Sequence, residues 1–387
     1  MNKFKVMVFS IFVVFLLVGC IDEKKANKLE VNYISFGEVV ERLQVKKGEI
    51  VKEPTLPRKS EYSFFGWYLD EKFSKEYYFN EEVIENLNLY ARWLKASNLE
   101  FFEYEIIDSK LTITDFDYKN HTDNLIVFPQ IIDDQQVQAI HKGVHSIDDK
   151  VRRTIMVPFG VEVIGEASFK DSNNLDKIFL PRTIKYLEAD AFSAARINVF
   201  YFPSFYTEKK VGSSNSPLRD AIINDFYFPG DGKAFKLDSY ISLTICNLIM
   251  HDDIEVIKED AFRNALGLKV LNVKFPKNLK KLEGFSLTGI VFANKLYFPD
   301  SIEEIQPNAL FGVARVFKIP ENTKEIKSYA YLSTDCVYIH SNIEYFEKGA
   351  FSSGTVLFID LEGPKDTWDK DWNDNYKVYW LKDILGE

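Results

Sequence analysis

Cysteine is scarce in this 387-residue chain, with three in all, and only Cys246 and Cys336 lie in its body. Histidine numbers five, and the one pair at i, i+4 spacing, His141 and His145, has Gly143 between its members and lacks the H-E-x-x-H context of a zinc helix. G-x-S-x-G, the P-loop and G-x-G-x-x-G are all missing. Acidic pairs such as Asp133-Asp134 and Asp252-Asp253 are adjacent, so their side chains diverge, a poor start for paired acid and base chemistry. No catalytic residue, metal site or cofactor is therefore expected. An excess of cationic residues is lacking too: the net charge is −10, which argues against a nucleic-acid binder, whose affinity would need clustered Lys and Arg. The apolar run from Val6 to Val18 is shorter than the ~20 residues of a membrane-spanning helix.

What is abundant is aromatic: 33 Phe and 20 Tyr, in a composition otherwise ordinary for a globular protein, 46% hydrophobic and 27% charged. After residue 150 the apolar residues recur in register. Corner positions at 158, 181, 203, 229, 251, 276, 299, 320 and 340, mostly Pro with His251 and His340 as exceptions, stand 20 to 26 residues apart. From each corner an apolar or β-branched residue follows at three, an apolar one at six, and an aromatic or Leu at eleven, as in Pro181, Ile184, Leu187 and Ala191-Phe192. A period of this size means one supersecondary unit stacked on copies of itself, its core existing only between neighbours. The copies at Pro203 and Pro229 are degenerate, with Lys209 where the apolar residue at six belongs.

The pattern x-L-x-x-I-x-L-P-x-x-I-x-x-I-x-x-x-A-F, carried by Leu175 to Phe192, resembles the BspA-type leucine-rich repeat of bacterial and protist surface proteins. Upstream, Gly48, Val51, Pro54, Pro57, Phe65 to Tyr68, Tyr77, Phe79 and Leu89 to Trp93 resemble the Listeria–Bacteroides repeat of internalin B and related proteins. Glu61 departs from that pattern, which usually has Gly there. The resemblance implies a small β-grasp-like module in which Trp67 and Trp93 are core residues. Lys3 and Lys5, the apolar run and Leu17-Val18-Gly19-Cys20 resemble a lipoprotein signal, implying cleavage before Cys20 and lipidation of its sulfur. Cleavage would remove Lys3 and Lys5 and take the net charge from −10 to −12.

The expected fold class is mainly β: a β-grasp-like N-terminal module followed by a right-handed β-rich leucine-rich-repeat solenoid with few short helices. The expected divisions are a signal peptide over 1–19, a charged tether over 20–30, the module over 31–95, an N-terminal cap over 96–150, the repeats over 151–360 and a closing cap over 361–387. In that cap Asp369, Asp371 and Asn373 mimic a calcium loop, but Asp374 and Trp380 stand where Gly and Glu are needed. Cys246 and Cys336 fall four repeats apart, roughly 4 × 4.8 Å of stacking, too far for a disulfide.

Residues one and three before each corner are apolar, so they face inward on a strand, and the rows at two and four before it face out. The outward row at two holds Met156, Phe179, Tyr201, Tyr227, Ile249, Lys274, Tyr297, Lys318 and Tyr338. So aromatic a row either marks a binding face or supports the sheet as a ladder. Phe179, Tyr201, Tyr227, Tyr297 and Tyr338, flanked by Lys274 and Lys318, are the candidate partner-binding residues. The resemblances imply a monomeric, lipid-anchored protein on the extracytoplasmic face of the cell membrane. Its expected partner is a macromolecule: a host protein, a bacterial surface protein or a glycan. An envelope spacer without a ligand and a glycan- or solute-capturing lipoprotein remain alternatives.

Overall fold

The computed structural model describes residues 28–141, 151–202, 216–228, 242–262, 267–292, 296–310, 316–330 and 335–382. Cys20, the tether up to residue 27, His145 and Lys209 lie outside them. The described residues are almost entirely strand and turn. Among them helix is confined to a 3-10 turn at Leu99–Phe101 and two residues at Leu381 and Lys382, in keeping with the mainly β fold expected.

The chain divides into two compact units, the first ending at Glu53 and resuming over Trp67–Ala91, the second comprising Pro54–Gly66 and everything from Arg92. In the first, Lys28–Ser35 and Glu38–Lys46 form an antiparallel hairpin, its turn made by Phe36 and Gly37, both at positive φ. Lys28–Ser35 also pairs in parallel with Leu87–Lys95, so one central strand is bonded on both edges, the mixed arrangement of a β-grasp. Val31, Tyr33, Leu89 and Trp67 fill its interior, and the Tyr33 ring meets Trp67 edge-on at 5.0 Å. Trp67 is a core residue.

The second unit is a β-solenoid of about ten turns. In most of the described turns one strand precedes the corner and a two-residue strand follows it. The first kind stack in parallel into an eight-stranded sheet running from Leu125–Val127 through Arg153–Met156, Leu175–Phe179, Arg196–Tyr201, Ile222–Phe228, Thr244–Met250 and Leu268–Lys274 to Ile290–Phe292. A four-stranded sheet follows: Val316–Lys318, Cys336–Ile339, Val356–Ile359 and Lys377–Trp380. The short strands, such as Val163–Ile164, Tyr186–Leu187 and Val256–Ile257, form the second wall. Between the walls the apolar positions close the core. Ile155, Ile178, Phe200, Phe226 and Leu248 come from the strands, Val161, Ile184, Ile254 and Leu279 from three past the corner, and Ile164, Leu187, Ile257 and Leu282 from six past it.

Strict alternation holds only for the last half of each strand. Leu175, Ile197, Ile223, Ile245 and Val270, six before their corners, are buried, because the pairing skips the residue at five, as where Leu175 pairs Ile197 and the next partners are Lys177 and Val199. Positions four and five therefore both face outward, and their carboxamides bond from rung to rung. Asn198 Nδ2 donates to Asp176 Oδ1 at 3.0 Å, Asn224 Nδ2 to Asn198 Oδ1 at 3.1 Å, Asn247 Nδ2 to Asp225 Oδ1 at 2.7 Å and Asn272 Nδ2 to Asn247 Oδ1 at 2.9 Å.

Both ends of the stack are closed by side chains. Over the first turns the hairpin Phe102–Ile107 and Lys110–Phe116 brings Phe102, Phe116 and Phe128 together. Arg153, only 2% exposed, donates to the carbonyls of Asp123 and Tyr118. At the far end Trp368, Trp372 and Tyr376 pack on Phe346. Asp369 is engaged in this closure, accepting from the Tyr345 hydroxyl at 2.9 Å and the Lys348 amide at 3.1 Å.

Candidate functional site

Strand register decides which of the candidate residues share a surface. In the eight-stranded sheet Val127, Met156, Phe179, Tyr201, Tyr227, Ile249 and Lys274 are successive partners and form one row. In the four-stranded sheet a second row holds Lys318, Tyr338, Phe358 and Tyr379. Tyr297 belongs to neither, because Leu296–Phe298 carries the repeat pattern yet forms no strand. Phe358 and Tyr379 were missed by the sequence reading, although Val356 to Ile359 repeats the strand pattern one period after His340. Phe358 and Tyr379 stack at 5.2 Å.

The beginning of the first row does not face solvent. Met156, expected to point outward into water, is 3% exposed: it packs with Val127 and Phe65, and Leu94 and Phe179 close around them. This cover is pinned by Ser63 Oγ donating to the Phe128 carbonyl at 2.7 Å and by the Phe159 amide donating to the Phe64 carbonyl at 3.0 Å. Farther along, Phe179, Tyr201 and Tyr227 stack nearly parallel at 4.2 and 4.7 Å, with ring planes 10° and 15° apart. Rings stacked this way spend their faces on each other and leave edges and hydroxyls outward, the arrangement of a supporting ladder. Partial burial, then the neighbouring Tyr227 and Asp225, hold the Tyr201 hydroxyl above its ordinary pKa. Beyond Ile249 the row ends in exposed Lys274.

The other three candidates converge. Where the two sheets fail to join there is a cleft of about 670 Å³, within the range of ligand pockets, bounded by Tyr297, Lys318 and Tyr338. Phe298, Phe317, Pro320 and Phe358 supply apolar surface. Tyr297 is 80% exposed. Lys318 Nζ lies 2.6 Å from Glu321 Oε1 and 5.6 Å from the centre of the Tyr338 ring. That hydrogen bond to Glu321 is the main reason the ammonium is held above its ordinary pKa, while burial does the same for the Tyr338 hydroxyl. Val316–Lys318 is the edge strand of its sheet, and among the described residues no strand pairs with its free side. Cys336 at the cleft and Cys246 on the first sheet are free thiols. Among the described residues no group of three or more His, Cys, Asp or Glu side chains is placed to hold a metal ion.

Comparison with known families agrees with this architecture. The model for the BspA type leucine-rich repeat region matches residues 142–216 and 233–357, in six copies. The chain belongs to the BspA-type leucine-rich-repeat family. Residues 30–92 match the Listeria-Bacteroides repeat domain. The stretch this BspA-type match leaves out, 217–232, includes the degenerate copy at Pro229, yet Ile222–Phe228 keeps register with both neighbouring strands. The family assigns a coarse role, a surface-exposed scaffold for protein interaction. A protein of Evansella cellulosilytica named as a membrane protein is 36% identical over 69 residues, 17% of this chain and 10% of its own length, so the chain spans about a tenth of that relative. Among solved structures, the pneumococcal vaccine antigen PcpA overlaps 74% of this chain and 98% of its own at 11% identity and a TM-score of 0.29. A leucine-rich cell surface protein of Faecalibacterium prausnitzii overlaps 73% and 98% at 12% identity and a TM-score of 0.22. Overlaps with such TM-scores establish no common overall shape. Among the described residues no helix of this BspA-type chain is long and apolar enough to cross a membrane.

Proposed function

We propose that this BspA-type protein is a cell-surface lipoprotein, tethered through acylated Cys20, that binds a protein partner at the cleft bounded by Tyr297, Lys318 and Tyr338. The observation that carries this reading is Tyr297: a large aromatic side chain, 80% exposed, beside an apolar cleft. Exposed aromatics at the rim of an apolar depression are what interaction hot spots are made of, because burying them against a partner removes much apolar area at little rotamer cost. Lys318 and its Glu321 partner add a polar rim. Phe179, Tyr201 and Tyr227 serve instead as the ladder that stiffens the first sheet, with Lys274 at its end.

The test is capture of host matrix proteins and bacterial surface proteins by the full chain. Tyr297→Ser with Tyr338→Ser should abolish the capture shown by the native sequence and leave the melting temperature nearly unchanged. Tyr201→Ser with Tyr227→Ser should lower the melting temperature and spare capture. Retention of nothing by the native chain, or capture that survives loss of both cleft tyrosines, sinks the proposal. Labelling with a radioactive fatty acid tests the tether, which Cys20→Ser should abolish.

A further inference from the structure

The strands of the first sheet begin on a different surface, a groove of about 200 Å³ whose lining includes Arg152, Arg196, Asn198 and Asn224. Two features set it apart. Several cations elsewhere on the solenoid are paired with acids of adjacent turns, as in Lys185 with Glu162 at 2.6 Å, Lys280 with Glu255 at 3.1 Å and Lys281 with Glu304 at 3.1 Å. Among the described residues the Arg152 and Arg196 side chains have neither an ion-pair nor a hydrogen-bond partner, although the chain carries a net charge of −10. Arg153 pairs with Leu175 and Leu175 with Ile197, so the two preceding arginines stand two rungs apart, ~10 Å. Exposed Lys269 continues the column through the pairs Arg196 with Ile222, Ile222 with Thr244 and Thr244 with Lys269.

The second feature is the carboxamide ladder. Asn198 uses one N–H and its oxygen on neighbouring rungs, and Asn224 one N–H, with the Cys246 thiol a distant donor to its oxygen at 3.6 Å. Each retains a further N–H and an acceptor lone pair, held in a fixed direction by the ladder. Half-exposed Ile222 adds an aliphatic edge.

We propose that this groove binds an acidic polysaccharide. Arg152 and Arg196 take carboxylates in the two-pronged geometry that suits guanidinium, and Asn198 and Asn224 exchange hydrogen bonds with sugar hydroxyls. Asp176 and Asp225, each accepting from an asparagine of the next turn in neighbouring columns, repel a densely charged polymer and favour one whose carboxylates are spaced by neutral sugars. This site stands apart from the cleft and does not depend on it.

Calorimetric titration of the full chain with hyaluronan fragments, heparin, neutral dextran and polyphosphate tests the assignment. Hyaluronan should bind best, with an affinity that falls as salt is raised. Arg152→Gln with Arg196→Gln should weaken it roughly tenfold or more at an unchanged melting temperature, and Asn224→Ala by a smaller factor. Hyaluronan binding no better than dextran, polyphosphate or heparin binding as well as hyaluronan, or a double arginine variant that binds like the native chain would each overturn it.

Discussion

At the scale of the residue, the most regular feature of this solenoid is one that no hydrophobic pattern displays. Nine residues past the corner the backbone is left-handed in turn after turn, at Ala167, Asp190, Asp260, Phe285, Asn308, Tyr329 and Gly349, with φ between 54° and 75°. The next residue is small and fully buried, as at Ala191, Ala261, Ala309 and Ala330, because the following turn stacks against it. Only Gly349 takes this conformation freely, and for a bulky residue it costs ~1–2 kcal/mol. Tyr329 is exposed, so Tyr329→Gly should stabilise the chain by about 0.5–1 kcal/mol after the entropic cost of glycine, read as a raised urea midpoint. Glu61 is the same case: it departs from the Gly of the family pattern yet keeps φ 61°, and Glu61→Gly should act in the same direction. The left-handed position was illegible in the sequence because Ala, Asp, Phe and Tyr do not announce it. The alanine and aromatic that follow were legible because burial constrains their size.

At the scale of the element, each strand pairs with its neighbours through a register that the repeat period fixes, and the ends are where the stack is vulnerable. Trp372 is buried against Phe346 and Trp368 at the closing end. Trp372→Ala should cost ~3–5 kcal/mol, measured as a loss in chemical denaturation. At the opening end, Arg153→Met leaves the carbonyls of Asp123 and Tyr118 without their buried donor and should cost roughly 2–4 kcal/mol in the same measurement. Most of the strands and their inward rows were readable from period and alternation. The skipped residue, and with it the asparagine ladder and the inward Arg153, was not, since a local departure from period two shows only when neighbouring strands are laid side by side. The sheet break at Leu296–Phe298 was hidden for the same reason: its sequence fits the repeat.

At the scale of the whole molecule, acid should weaken the fold before the carboxylates titrate. Burial holds both His121 and His340 below the ordinary histidine value of 6.5, helped at His121 by the nearby Arg153. His340 fills a corner position, its Nε2 2.7 Å from the Pro320 carbonyl oxygen and its Nδ1 accepting from the Asn342 amide. Below about pH 6.5 the unfolded chain takes up protons on these rings that the folded chain refuses, so stability is full above that pH and declines beneath it. Urea midpoints at neutral and mildly acid pH should show the decline, and His121→Gln with His340→Gln should flatten it. By itself the sequence determined the families, the stacked β architecture and the inward rows, because burying one apolar face per turn imposes a period that a linear text can carry. Tertiary structure alone decided which outward residues are free. Phe179 is half-buried and stacked, Tyr297 stands clear beside a cleft, and two arginines in a groove have no partner among the described residues, since exposure depends on what other turns place next to a residue, and that is not encoded at its own position.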